Sequence, residues 1–283
     1  MVHILLPATG PSGIWQVASG GARPPGDALL VLAMSDRAPV TREALLAAQQ
    51  ARPPFGGRTF TAAEPAVRLG VSGSGDDLLL LVWTATDLAR EIAAGVRLLS
   101  RLGIRAGTRV ANTLAGALAT PGSLLLGDVN EAIGALDVPL GPSHTDAAAK
   151  AAWELLDRVR CEVLVVDPAT APRFFGMMPP DERPWLAGIV WLWRAGVPQP
   201  PEAPWPFAGW QRRWFAVPEV ASFAGATCAA GGLHLDDALD GIVRDGQLVL
   251  APRDASAAPY ATGLAARLDP GCPCGTPAFV LGP

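Results

Sequence analysis

The sequence predicts a doubly wound α/β core followed by a small β-rich tail. Between residues 86 and 166, helical periodicities alternate with strand-length apolar runs at the lengths of βαβ units. After residue 231 the chain breaks into short apolar stretches punctuated by turn residues. Three of the four cysteines and one of the three histidines fall in or beside that tail, in a spacing that suits a metal.

Residues 1–40 are rich in Gly and Pro, with short apolar stretches such as 28–34, and read as loops and one strand. Thr41 before R-E-A-L-L-A-A-Q-Q reads as an N-cap and a short helix, because its hydroxyl can satisfy an orphan N–H of the first turn. Pro53-Pro54 ends that helix. Residues 66–71 and 78–83 read as two strands of a hairpin around the tight loop Ser72-Gly73-Ser74-Gly75. A helix begins at Thr86, with Leu88, Ile92, Val96, Leu99 and Leu102 spaced three to four apart and Gly103 as its C-cap. I-R-A-G-T-R-V-A-N-T reads as turn and strand, residues 114–133 as a small-residue helical region, and A-L-D-V-P-L as a short strand. Residues 146–159 read as a helix and 161–166 as a buried strand. From 177 to 214 proline is dense, and six tryptophans (185, 191, 193, 205, 210 and 214) fall together. This segment reads as a linker whose indoles cover apolar surface, or as a patch over residues 185–214 for a homodimer or partner protein, since Trp is enriched at binding hot spots. The expected division is residues 1–214 for the core and 215–283 for the tail.

Composition excludes several classes. A net charge of −4 with scattered basic residues gives no electrostatic support for nucleic-acid binding. No segment approaches the roughly 18 apolar residues of a transmembrane helix, so no membrane association is expected. The N-terminus lacks a basic region before a long apolar stretch, so no secretory signal is read and the cytoplasm is the expected location. Lys150 is the only lysine, which excludes a lysine-dependent mechanism elsewhere in these residues.

Cys228 and His234 are separated by five residues in C-A-A-G-G-L-H, and Cys272 and Cys274 lie in P-G-C-P-C-G. Three thiolates and an imidazole suffice for a closed tetrahedral zinc site of the structural kind. The cysteines are also compatible with buried free thiols in a reducing compartment, or with disulfides in an exported protein. His144 reads as a helix-entry or surface histidine rather than a general base, and His3 as terminal. Asp236, Asp237 and Asp240 read as a solvated turn rather than a divalent-cation site.

The order of these motifs resembles the phenylacetate–CoA ligase branch of the adenylate-forming (AMP-binding) superfamily, from about residue 39 to residue 275. P-V-T-R-E-A-L-L with R-P-P-F-G is similar to that branch's P-F-T-T-K-x-D-L-R and Y-P-F-G. V-S-G-S-G-D-D stands in the place of the phosphate loop S-S-G-T-T-G-K-P. V-R-C-E-V-L-V-V-D-P-A-T resembles K-P-T-V-L-x-x-T-P-S, F-A-V-P-E resembles Y-G-L-S-E, G-G-L-H-L-D-D resembles G-L-H-I-W-E-D, and C-P-C-G is shared. The resemblance implies an adenylate-forming core with a zinc-bearing tail, the metal on Cys228, His234, Cys272 and Cys274. It implies ATP with Mg²⁺ and CoA as cofactors if activity is retained, and a carboxylic acid or CoA-type ligand. Ser72, Gly73, Ser74 and Gly75 would line the nucleotide phosphates, Tyr260 and Thr262 would flank the nucleotide, and Glu219 would help hold Mg²⁺ as the catalytic carboxylate.

The chain departs from that pattern where charge is handled. Asp76 and Asp77 follow the loop where the family has Gly-Lys, and carboxylates repel a triphosphate. Y-A-T-G-L at residues 260–264 replaces Y-R-T-G-D, so Leu264 stands where an Asp would accept from the ribose hydroxyls. Pro218 precedes Glu219 in place of Ser or Thr, and W-L-W-R-A-G at 191–196 replaces the adenine-binding G-A-E-P. Family members continue past the equivalent of Pro283 into a mobile lid that supplies a catalytic lysine. The expectation is a degenerate homologue without independent ligase activity, acting as a ligand-binding or regulatory protein. The alternatives are an adenylate-forming enzyme of altered chemistry with a lid supplied in trans, and a structural partner in a heteromeric complex.

Overall fold

A computed structural model describes residues 4–7, 15–18, 38–58, 60–116, 121–179, 183–195, 208–253 and 258–282. The chain divides into two compact units, one built from residues 1–59 and 224–283, the other from residues 60–223. The boundary expected after Trp214 falls inside a strand of the second unit. His3, the stretch 28–34 and Trp205 lie outside the described residues.

The unit of residues 60–223 opens with a two-stranded antiparallel hairpin, β3 (Ala66–Ser72) and β4 (Leu79–Thr84), as the sequence predicts. Its loop is tight because Gly73 and Gly75 adopt positive φ (82° and 57°), and a single 3₁₀ turn, Gly75–Asp77, leads into β4. Helix α2 (Ala85–Arg101) starts on a capping box: the Thr84 hydroxyl accepts from the Asp87 N–H, and the Asp87 carboxylate accepts from the Thr84 N–H. It ends at Gly103 (φ 93°), whose N–H bonds the Ser100 carbonyl while Ile104 N–H bonds Leu99, the Schellman pattern. Its buried stripe is Ala94, Gly95, Leu98 and Leu99, rotated from the larger residues that the spacing selects. Close packing explains the rotation: a Cβ on Gly95 would lie 2.5 Å from Val129 Cγ2 and 3.0 Å from the Phe223 ring.

A parallel sheet follows: β5 (Arg109–Asn112), α3 (Pro121–Ile133), β6 (Leu136–Pro139), α4 (Asp146–Val159), β7 (Val163–Val166), α5 (Ala171–Gly176), β8 (Gly188–Arg194) and β9 (Trp210–Val217). All neighbours pair in parallel in the order β9-β8-β7-β5-β6. This is the expected doubly wound topology, with the winding direction reversing between β5 and β7.

The tryptophan-rich segment is not a linker over its described length. β8 is buried from Gly188 to Trp193, and Trp191, Trp193 and Trp214 are interior side chains. A parallel strand covered by helices on both faces reads as an unbroken apolar run, and here that run includes indoles. Those three rings are therefore unavailable as a docking patch. Under α4, Trp153 is fully buried: its Nε1–H donates to the Phe174 carbonyl (2.6 Å), its ring stacks on Phe174, and the Arg183 guanidinium lies 4.8 Å above it.

The other unit carries α1 (Arg42–Ala51), capped by Thr41, and the strands β1 (Ile4–Pro7), β2 (Trp15–Ala18), β11 (Leu233–Leu235), β12 (Leu239–Arg244), β13 (Gln247–Pro252), β14 (Tyr260–Asp269) and β15 (Ala278–Leu281). β10 (Ala221–Thr227) enters this unit at Ala224. The strands run β2-β1-β12-β13-β14-β15-β11-β10, antiparallel except where β1 joins β12. The expected β-rich tail is present, and residues 38–59 share its unit. Asp236 and Asp240 are not a solvated turn: both are about 2% exposed, Asp236 accepts from the Ala238 N–H and Asp240 pairs with Arg253 at 3.2 Å. Folding holds these carboxylates inside by giving each a donor. No helix among the described residues is long and apolar enough to cross a membrane.

Replacing Trp153 with Ala should lower unfolding free energy by about 3–5 kcal/mol, because an interior indole and its hydrogen bond are lost together. Urea unfolding of the two proteins checks this; coincident curves would contradict the packing.

Candidate functional site

Four ligand-type side chains converge in the unit of residues 1–59 and 224–283. The Cys228, His234, Cys272 and Cys274 donor atoms all lie within 4.8 Å of one another. Two hairpins bring them together. β10 and β11 pair with Ala226 opposite His234, and the turn between them is closed by Cys228 N–H to Gly232 O and Gly231 N–H to Cys228 O. β14 and β15 pair with Asp269 opposite Ala278, and their loop carries Cys272 and Cys274 on a turn closed by Gly275 N–H to Cys272 O. Because β15 lies beside β11, with Phe279 opposite Leu233, the two loops open at the same edge.

The separations suit a tetrahedral ion. Cys228 and Cys272 sulfurs are 3.6 Å apart, Cys272 and Cys274 3.3 Å, and His234 Nε2 lies 3.2 Å from Cys274 and 3.8 Å from Cys272. Zn–S bonds of about 2.3 Å and Zn–N bonds of about 2.0 Å place neighbouring ligand atoms about 3.5–3.8 Å apart. The same sulfurs are all free thiols rather than disulfides. Burial is graded across the cluster: Cys272 is buried, Cys228 and His234 half-buried, Cys274 exposed.

A fifth residue, Thr276, organises the cluster. Its Oγ1 is 3.3 Å from His234 Nδ1 and 3.3 Å from Cys274 Sγ. With Nδ1–H donating to this oxygen, the Nε2 lone pair would face the sulfurs, the orientation a ligating imidazole needs. Thr276, through its hydroxyl and then its backbone, draws the Cys274 thiol down to about 7. The Cys274 backbone favours the Cys272 thiolate as well, but burial and the adjoining thiols outweigh it and push Cys272 up to about 11. Three thiols this close do not ionise together unless a cation joins them. Gly232 is required beside them, since a Cβ there would lie 2.7 Å from Ala278 Cβ and 3.0 Å from Cys272 Sγ.

The second set of candidate residues lies at the carboxyl ends of the parallel strands in the other unit, where doubly wound folds bind ligands. The Ser72 hydroxyl donates to the Glu219 carboxylate at 2.8 Å, so the glycine-rich loop and the acidic residue after β9 meet, although they are distant in sequence. Gly73, Ser74, Gly75, Asp76 and Asp77 are exposed beside it. At the end of β5, Asn112 Oδ1 accepts from the Leu114 N–H, and the Thr113 hydroxyl donates to Val165 O. Arg194, closing β8, pairs with Asp167 after β7 at 3.0 Å. Neither Thr276 nor the Arg194–Asp167 pair was singled out by sequence. Thr276 was within reach, two residues beyond Cys274, whereas the ion pair joins two strands.

Tyr260 and Thr262 lie on β14 in the unit of the cysteines. Tyr260 is buried, and its neighbours Pro259 and Ala261 bond Val40. Thr262 and Leu264 lie in an irregular stretch of β14 around Gly263 (φ 72°). There the Thr262 hydroxyl donates to Leu248 O and accepts from the Leu264 N–H. His144 is exposed, as expected.

No protein-family model matches the chain, and no curated protein matches it in sequence. Solved structures do match. The chain is similar to 2-hydroxyisobutyryl-CoA ligase, crystallised in an open conformation in complex with 2-HIB-AMP and CoA. The TM-score is 0.71 at 17% identity, over 86% of this chain and 62% of that one. The fold is that of the adenylate-forming ligase core. The N-terminal domain of FACL13 from Mycobacterium tuberculosis shares this fold at a TM-score of 0.57 and 12% identity, over 83% of this chain and 65% of that one. So does a putative long-chain-fatty-acid CoA ligase from Rhodopseudomonas palustris, at 0.54 and 14%, over 82% and 63%. This chain thus spans less than two thirds of each of these three chains.

Gly232→Val should push the Cys272 thiol out of line and destabilise this unit by about 1–3 kcal/mol. Hydrogen exchange across residues 228–235 and 272–281 reads the effect, and unchanged protection would contradict the close approach. Ser72→Ala should cost about 1–3 kcal/mol by removing a hydrogen bond to a carboxylate. A stability unaffected by Ser72→Ala would mean that the contact carries no free energy.

Proposed function

We propose that the chain is a degenerate relative of the phenylacetate–CoA ligase branch. It binds a carboxylic acid or CoA-type ligand, or regulates a partner, without forming an acyl-adenylate, and a structural zinc ion on Cys228, His234, Cys272 and Cys274 holds its β-rich unit. The observation that carries the functional reading is the state of the glycine-rich loop. Ser72 bonds Glu219, and two exposed carboxylates, Asp76 and Asp77, follow within one turn. A triphosphate needs N–H groups, hydroxyls and a cation at such a loop, and here the added charge has the wrong sign. The strand ends support the same reading. β8 closes on the Arg194–Asp167 ion pair behind buried Trp191 and Trp193, where the resemblance sets an adenine-binding segment. Leu264 offers no acceptor to ribose hydroxyls.

The donor set and its 3.2–3.8 Å separations support zinc. When bound, the ion would join two hairpins and supply folding free energy, about 10 kcal/mol in small structural sites. The role of this chain's own residues is to orient: Thr276 sets the His234 tautomer, and Gly232 leaves room for Cys272.

Calorimetric titration should find ATP·Mg²⁺ binding at about millimolar or weaker, because two lost ribose hydrogen bonds at about 1–3 kcal/mol each reduce affinity by roughly 30-fold or more. AMP and CoA titrated in parallel identify any retained ligand. Acid-dependent pyrophosphate exchange should be undetectable, and Leu264→Asp alone should not restore it while Asp76 and Asp77 remain. Robust exchange by the unaltered chain would overturn this reading. Elemental analysis should give about one zinc per chain, and Cys272→Ser should loosen the β-rich unit before the parallel sheet. A metal-free chain with the same melting curve would remove the zinc.

A further inference from the structure

The four ligand-type residues differ in what can reach them. Cys272 is 5% exposed and packed behind Gly232, while Cys228 and His234 are half-buried. Cys274 alone of the set is exposed. Its sulfur is also the one approached by a hydroxyl, Thr276 Oγ1 at 3.3 Å, and its nearest sulfur neighbour is Cys272 at 3.3 Å. An accessible thiolate with a second thiolate in contact is the arrangement that oxidises selectively and reversibly. A buried thiol such as Cys161, fully enclosed beneath the parallel sheet, is chemically inert.

We infer that Cys274 is an oxidative modification site: a hydroperoxide oxidises it first, Cys272 resolves the product as a disulfide, and the metal clamp opens. This rests on the zinc reading above. The Cys274 thiolate attacks the terminal peroxide oxygen, an S–O bond forms, and the O–O bond breaks. The departing alkoxide, or hydroxide from hydrogen peroxide, takes a proton from water. The Cys272 thiolate then attacks the sulfenic sulfur, an S–S bond forms, the S–O bond breaks, and hydroxide leaves to become water. In sum, two thiolates, one hydroperoxide and two protons give one disulfide, one alcohol and one water, so the sulfurs lose the two electrons that the peroxide gains. Only Cys228 and His234 then remain as ligands, too few to hold the ion. The β10–β11 and β14–β15 loops lose their crosslink. A thiol reductant reverses the step and restores all four ligands.

The test uses the full chain, isolated under reducing, oxygen-free conditions and assayed for zinc before hydrogen peroxide is added. Zinc release, followed with a metallochromic dye, should run in step with the loss of two thiols. A sulfenic-acid-trapping dione should label Cys274 first. The peptide holding Cys272 and Cys274 should lighten by two hydrogens, and Cys161 should stay unlabelled, which separates local opening from global unfolding. Cys274→His keeps four ligand atoms without the reactive sulfur and should slow release by about tenfold or more. Release from that variant at the unaltered rate, or first labelling of Cys228, would overturn the inference. Should the variant not fold, the labelling order in the unaltered chain decides alone. A reduced chain holding no zinc removes both the metal reading and this one; a zinc-loaded chain that keeps its metal in peroxide removes only this one.

Discussion

Strand β8 has almost no face that meets water. From Gly188 to Trp193 every residue is buried, and β7 beside it is buried along its whole length. A parallel strand in that position must be covered by helices on both sides, and the rest of the unit follows from meeting that demand. α4 brings Trp153 down onto Phe174, α5 adds Phe175 against Trp191, and Trp191 Nε1–H finds the Gln211 side chain. Glycine makes the closest approaches possible. At Gly188 a Cβ would lie 2.2 Å from the Trp210 ring, and at Gly95 it would strike Val129. Large aromatics and glycines are therefore two halves of one packing solution.

That packing fixes where polar chemistry can stand. Side chains of β7 and β8 are committed to the interior, and charged and hydroxyl groups stand at the carboxyl ends of the strands: Thr113, Asp167, Arg194, Glu219 and, from the hairpin, Ser72. Two pairs form among them, Ser72 with Glu219 and Asp167 with Arg194. The other unit uses a different tie. Its strands are joined by backbone hydrogen bonds, but the loops at the β11–β15 edge are short, Gly- and Pro-rich and poor in apolar side chains. There three thiols and an imidazole gather instead.

Much of the fold was legible because local signals and tertiary structure agree. Thr41 announces a helix start through a side chain that reaches back to the first turn, a rule that needs no long-range information, and the same local chemistry stands at Thr84 and Thr145, where the sequence analysis names no cap. The β3–β4 hairpin and the β5-to-β7 alternation were legible for the same reason: period and turn chemistry are local. The tryptophan-rich segment was misread because an apolar run flanked by prolines reads alike as a linker or as a doubly buried strand until its neighbours are known. Asp236 and Asp240 were misread because a buried carboxylate is recognisable only with its donor, and the Arg253 that serves Asp240 comes from past the next strand.

The sequence by itself determined the alternation of elements, the caps and turns, and the identity of the four ligand-type residues, since spacing and residue chemistry are properties of the chain. It also placed two carboxylates, Asp76 and Asp77, after the glycine-rich loop and an apolar side chain at Leu264, which are matters of charge and hydrogen-bonding capacity. Only the tertiary structure decided that residues 38–59 share a unit with residues 224–283, that Ser72 meets Glu219, that Arg194 is held by Asp167, and that Thr276 stands between His234 and Cys274. Apart from Thr276 and Cys274, two residues apart, these are contacts between segments whose sequence separation carries no signal. They arise from strand order and loop direction, which are set by the sum of many weak packing terms rather than by any residue that could be read alone.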